Sequence, residues 1–188
     1  MSRETGASAV NNKPVKTNYN DTFRQLLAEY NLPEDLSFLV EFPKGVQEIL
    51  DDEILETEFG ITLKSFNTLH ELTEDYDSYS EIEDFENHFH VDWYIDPPDN
   101  KKVFMLAVKT LTALAIKFQK EKKNGICFWS YFQTPELGKR HAISTNLHEE
   151  GDEYIISDRL TFYTRPKEEE SVEFENDDPF WARLRIDI

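Results

Sequence analysis

His88-x-His90-x-Asp92 places two imidazoles and a carboxylate at alternate positions of one short run. Histidine and aspartate are suitable ligands for zinc or iron, and a catalytic centre built on them keeps one coordination position open. If the run is a strand, alternation puts all three side chains on one face. The competing reading is the wet face of a strand whose other side carries Phe89, Val91 and Trp93. His70, His141 and His148 reach such a site only through the fold. A second pattern, Asp75 to Glu86, can be laid on a calcium loop, with carboxylates at the first, third, ninth and twelfth positions. Its fit is poor, because Tyr79 replaces an oxygen donor and Ser80 stands where the sharp turn needs glycine.

Other chemistry has no foothold. There is no G-x-S-x-G elbow, no glycine-rich phosphate loop and no H-E-x-x-H helix. Carboxylate pairs are too numerous for any one to be nominated for acid–base work. Cys127 is the only cysteine, so no intramolecular disulfide framework exists. It lies in the apolar run Ile126-Cys127-Phe128-Trp129 and reads as a small buried residue rather than a nucleophile. No catalytic residue and no cofactor is assigned.

Charge narrows the function classes further. The chain carries 38 acids against 20 bases, a net charge of −18. Such a surface repels nucleic-acid phosphates and anionic lipid, and it attracts a basic protein partner most strongly at low salt. Lys117, Lys120, Lys122 and Lys123 read as the solvated end of a helix rather than as a nucleic-acid site. No run approaches the roughly 20 apolar residues that span a bilayer, and the N-terminus lacks the apolar core of a secretory signal. The expectation is a cytoplasmic protein with no membrane and no direct nucleic-acid contact, its oligomeric state open.

With 39% hydrophobic and 13% aromatic residues, the chain can bury a sizeable core. Residues 1–19 are polar and aperiodic and are expected to form a disordered tail, leaving 20–188 as a single α+β domain. Asp21 is expected to cap a helix with Phe23, Leu26, Leu27 and Tyr30 on one face. Residues 36–42 read as a strand or short helix, 45–58 as a helix, 61–64 as a strand and 67–76 as another short helix. Alternation over Phe85–Ile95 predicts a half-buried strand. The clearest helix spans about 101–123, with lysines in its last turns and Asn124-Gly125 as its stop. After it come an aromatic strand at 126–133, a hairpin pairing 140–147 with 154–163, an acidic connector at 167–178, and a terminal apolar segment at 180–186 that docks on the domain. The fold class is therefore α+β: an antiparallel sheet packed against one long central helix and several shorter N-terminal helices.

The stretch Phe23–Leu39, with Leu-Leu-Ala-Glu-Tyr-Asn-Leu-Pro-Glu-Asp-Leu-Ser-Phe-Leu, resembles the opening helix and Leu-Pro-x-Asp turn of the SUKH superfamily of toxin-immunity proteins. The glycine-rich stretch that usually follows is absent here. The resemblance implies an immunity-type protein, and the charge points the same way, towards blocking a basic toxin or nuclease. Between Ser65 and Asn100 stand eleven acids and no Lys or Arg. The expected interface is Glu71–Asp99, with Asp75, Asp77, Tyr79, Glu81, Glu83 and Asp84 meeting the partner and Tyr76, Phe85 and Trp93 adding hot-spot contacts. The alternatives are a metal-dependent enzyme centred on His88, His90 and Asp92, and a structural subunit extended through the 140–163 hairpin edge.

Overall fold

The helix that organises the fold starts at Asp99, whose carboxylate accepts the Lys102 N–H at 2.8 Å and caps α4, Asn100–Lys120. In this computed structural model, which describes residues 15–58, 60–67, 79–97, 99–133, 158–165 and 181–188, α4 is the long helix expected from the periodicity. Phe104, Ala107, Val108, Leu111, Leu114, Ala115 and Phe118 recur at three- and four-residue intervals, and all are buried. Lys117 and Lys120 occupy the last turn, where cations suit the helix dipole. Lys122 and Gly125 then turn the chain back with φ of 61° and 75°.

The next segment is β4, Ile126–Gln133, which is inserted between β5, Asp158–Thr164, and β6, Trp181–Asp187. Every pairing is antiparallel, and Phe128 stands opposite Phe162 on one side and Ile186 on the other. The α4 ring of Phe118 packs edge-on against Phe128 and Phe162 at 5.3 and 5.0 Å, so helix and sheet close over one aromatic layer. The α+β architecture is that of the sequence reading. The terminal segment does more than dock, because β6 is an inner strand of the sheet.

The fourth strand corrects the last four positions of the expected 1–19 tail, whose residues 1–14 lie outside the described residues. Lys16–Tyr19 forms β1 and pairs with β6, giving the order β1-β6-β4-β5. Its polar side chains concealed an edge strand held by backbone hydrogen bonds. The helix α1, Asp21–Glu29, is capped by Asn20 rather than Asp21. The Asn20 Oδ1 accepts from Phe23 N and Arg183 N, each at 3.0 Å, while Nδ2 donates to the Trp181 carbonyl. Asp21 instead pairs with Arg24 on the surface.

Residues 36–42 form neither a strand nor a helix. Leu36 adopts a φ of 57°, and its carbonyl accepts from Lys109 Nζ at 2.6 Å. The helix expected over 45–58 divides into α2, Lys44–Asp51, and β2, Ile54–Thr57, which pairs with β3, Gly60–Leu63. Asp52 makes the break: its carboxylate takes the N–H groups of Glu53 and Ser65, both at 2.8 Å, an alternative to continuing the helix. The strand expected over 85–95 is also replaced. α3, Tyr79–Glu86, covers its start, a 3-10 turn covers Asp92–Tyr94, and only Phe89 bridges to Leu160. The 140–147 arm, the 149–152 turn, the 167–178 connector and most of the expected 67–76 helix lie outside the described residues. Among the described residues no helix is long and apolar enough to cross a membrane.

α3 is fastened to both sheets by Glu83, only 3% exposed. Its Oε1 accepts from Ile61 N at 2.6 Å and Thr164 Oγ1 at 2.8 Å, and its Oε2 accepts from Thr164 N at 2.9 Å. Gly60 makes room for this, with φ +135° and a Cβ position that would fall 2.1 Å from the Glu83 carboxylate. Gly60→Ala should therefore lower stability by about 2 kcal/mol or more, combining backbone strain with displacement of a buried carboxylate. Urea denaturation followed by circular dichroism checks this, with the loss read from the shifted midpoint.

Candidate functional site

Residues 87–94 cross from the end of α3 to the turn before α4, and three buried contacts fix their path. Asn87, 0% exposed, donates from Nδ2 to the Ile61 carbonyl at 2.8 Å and the Phe162 carbonyl at 3.0 Å. Phe89 exchanges both backbone hydrogen bonds with Leu160 at 2.9 Å. Asp158 then accepts Val91 N–H on Oδ2 at 3.0 Å and Asp92 N–H on Oδ1 at 3.1 Å. Val91 is fully buried between these contacts. The chain consequently turns outward at Asp92–Tyr94, and Trp93 stands 75% exposed.

The outward turn makes one wall of a groove whose opposite wall is α2. Its volume is about 530 Å³, and Trp93, Tyr94, Phe66, His88, Glu48 and Asp52 are among its lining. Gly45 on α2 lets the Tyr94 ring approach the helix backbone, since a Cβ there would lie 2.2 Å from Cε1. His90 stacks on Trp93 at 5.1 Å, His88 meets His90 edge-on at 6.0 Å, and Phe85 continues the row at 5.4 Å from His88. Partial burial alone would raise the Asp52 carboxyl, but the hydrogen bonds from Ser65 and Glu53 prevail and hold it below the usual carboxylate range. The groove thus combines aromatic faces with an ionised acid.

On the other side of His90 the expected metal triad is rearranged. His88 does not join it, because its ring turns back to the Phe85 carbonyl. Its place is taken by Asp158, 66 positions beyond Asp92. One ligand atom each from His90, Asp92 and Asp158 lie within 4.8 Å of one another. The run was read as a strand with all three ligands on one face; the 3-10 turn breaks that alternation and only His90 and Asp92 converge. Burial lowers the His90 imidazole below its ordinary value, against a hydrogen bond to the Asp158 backbone and the charge of Asp92. Burial raises the Asp92 carboxyl. It also pushes Asp158 up to about 7, against the Val91 N–H and with the charge of Asp92 adding to the rise. Two carboxylates at this separation do not readily ionise together.

The expected interface acids divide differently. Asp75 and Asp77 lie outside the described residues, and Tyr79 and Glu81 lie on α3. Glu83 cannot meet a partner as expected, because it is buried among the backbone N–H groups of Ile61 and Thr164, and burial raises its carboxyl above the ordinary value. Asp84 pairs with Arg159 at 2.5 Å. Asp75 to Glu86 cannot form a calcium loop either, since residues 79–86 are helical. The sequence reading missed Glu48, Asp52 and Tyr94 as lining of the groove; the outward step at Asp92–Tyr94 that brings them together leaves no trace in hydrophobic periodicity.

Comparison with protein families, with curated proteins and with solved structures finds no match for this chain.

Asn87→Ala should cost about 2–3 kcal/mol, since it strips two buried carbonyls of their donor. Chemical denaturation measures the loss.

Proposed function

We propose that this chain is an acidic binding protein that captures a basic protein partner in the groove between α2 and residues 88–94. The observation that carries the reading is Trp93, a large aromatic left 75% exposed beside Tyr94 and the carboxylates of Glu48 and Asp52. A Lys or Arg side chain of the partner fits these groups, with its cation over an aromatic face and its charge balanced by Asp52. The net charge of −18 steers such a partner towards the chain and makes capture sensitive to salt. The resemblance of Phe23–Leu39 to toxin-immunity proteins adds the finer reading, an inhibitor that neutralises a basic toxin or nuclease.

A second reading, a metal-dependent enzyme, draws support from the meeting of His90, Asp92 and Asp158 beside a pocket of about 320 Å³. The two readings differ in what they require of Trp93: docking needs its exposed face, whereas metal chemistry does not.

The chain is immobilised and challenged with a lysate of its source cell at about 0.1 M and about 0.5 M salt, conditions that differ severalfold in screening. Stoichiometric capture of a basic protein at low salt, weakened at high salt, is the expected result. Trp93→Ala should weaken capture at least about tenfold, the scale of an aromatic hot spot, with thermal stability unchanged because the ring is exposed. Glu48→Lys should act in the same direction by opposing the partner's charge. Equal capture by wild type and Trp93→Ala would remove the groove from the interface.

A further inference from the structure

The pocket on the far side of His90 carries an inference that goes beyond docking and stands without it. We propose that His90, Asp92 and Asp158 bind one divalent first-row transition-metal ion between residues 90–92 and the head of β5.

The geometry is close to what an ion requires. Ligand atoms on one tetrahedral ion, with bonds of about 2.0–2.2 Å, stand about 3.3–3.6 Å apart, so atoms that lie within 4.8 Å of one another come onto one ion when the side chains draw in by about 1 Å. Two of the ligands are already oriented. Asp158 is held by the Val91 and Asp92 N–H groups, leaving lone pairs of its carboxylate for a cation. His90 is held by ring contacts with Trp93 at 5.1 Å and His88 at 6.0 Å, which fix the imidazole beside Asp158.

Within the cluster, one atom points to a missing partner. Asp92 Oδ1 is buried and has no hydrogen-bond partner among the described residues, a rare state for a carboxylate oxygen. A dication would satisfy it and cancel the charge of both aspartates. The pocket of about 320 Å³ beside His90 and Asp158 is lined also by Tyr131, Arg159, Trp181 and Arg183, and it gives water or an exogenous anion access to the remaining coordination positions. The donor set sets the metal class: an imidazole with two carboxylates suits zinc, cobalt, iron or manganese better than calcium or magnesium, which favour oxygen alone.

Calorimetric titration of the chelator-treated full chain with zinc sulfate at pH about 7, where the imidazole is a free base, should give one ion per chain. Cobalt(II) chloride should give visible d–d bands in the wild type. Those bands should vanish in His90→Ala and in Asp92→Asn and persist in His88→Ala, with zinc affinity falling at least about tenfold in the first two. Calcium and magnesium in excess should not displace cobalt. Circular dichroism establishes that each variant is folded, and His90→Gln replaces His90→Ala if the latter is not. The proposal is overturned by the absence of both heat and d–d bands in the wild type, or by binding that survives the His90 and Asp92 substitutions. Loss of binding in His88→Ala alone would equally overturn it. Failure here leaves the Trp93 groove untouched, because that reading needs no metal.

Discussion

At the head of β5 the Asp158 carboxylate, 1% exposed, holds the two N–H groups of Val91 and Asp92. Burying a carboxylate is costly unless hydrogen bonds compensate, and these two bonds offset part of that cost while burial still pushes the group up to about 7. They also decide where residues 87–94 run. Held against β5 at Val91, the chain has to turn away at Asp92, and that turn exposes Trp93, swings Tyr94 against Gly45 of α2, and brings the Asp92 carboxylate beside Asp158 and His90. The groove and the three-ligand cluster are therefore two consequences of one buried contact, and His90 belongs to both.

Other buried polar groups do similar long-range work. Asn20 joins the start of α1 to β6, Glu83 joins α3 to β3 and β5, and Asn87 ties the same two strands to residues 87–94. Each satisfies backbone groups that strand pairing leaves open, which is what a buried polar side chain requires. The aromatic layer between α4 and the sheet belongs to one continuous apolar core, a kind of packing that tolerates volume-conserving change. The polar contacts are directional and set how α3 and the β2–β3 hairpin meet the main sheet. Acidic side chains thus play two physical roles here. Among the described residues most keep the surface negative, while Glu83 and Asp158 are internal fasteners.

That division explains how far the sequence could be read. α4 and β4 were legible because the helical period over Phe104–Phe118 and the stop at Gly125 agree locally. β1 was not, because the polar Lys16–Tyr19 strand depends on β6, far along the chain. The 85–95 run misled through its alternation: Phe89 and Val91 are buried as the pattern requires, but Trp93 is not, since the Asp158 contact ends the extended path. Of the metal candidates, His90 and Asp92 were legible from spacing and Asp158 was not, because no local pattern announces a ligand 66 positions away. Glu83 looked like its acidic neighbours and differs only by facing inward, which follows from the docking of α3.

The central claim is that Trp93 and Tyr94 are the face presented to a basic partner, and hydroxyl-radical footprinting of the captured complex tests it most directly. Trp93 should be oxidised readily in the free chain and protected in the complex, together with Tyr94, while Leu39, 90% exposed and away from the groove lining, keeps its reactivity. Equal oxidation of Trp93 in the free and bound chain would contradict the account.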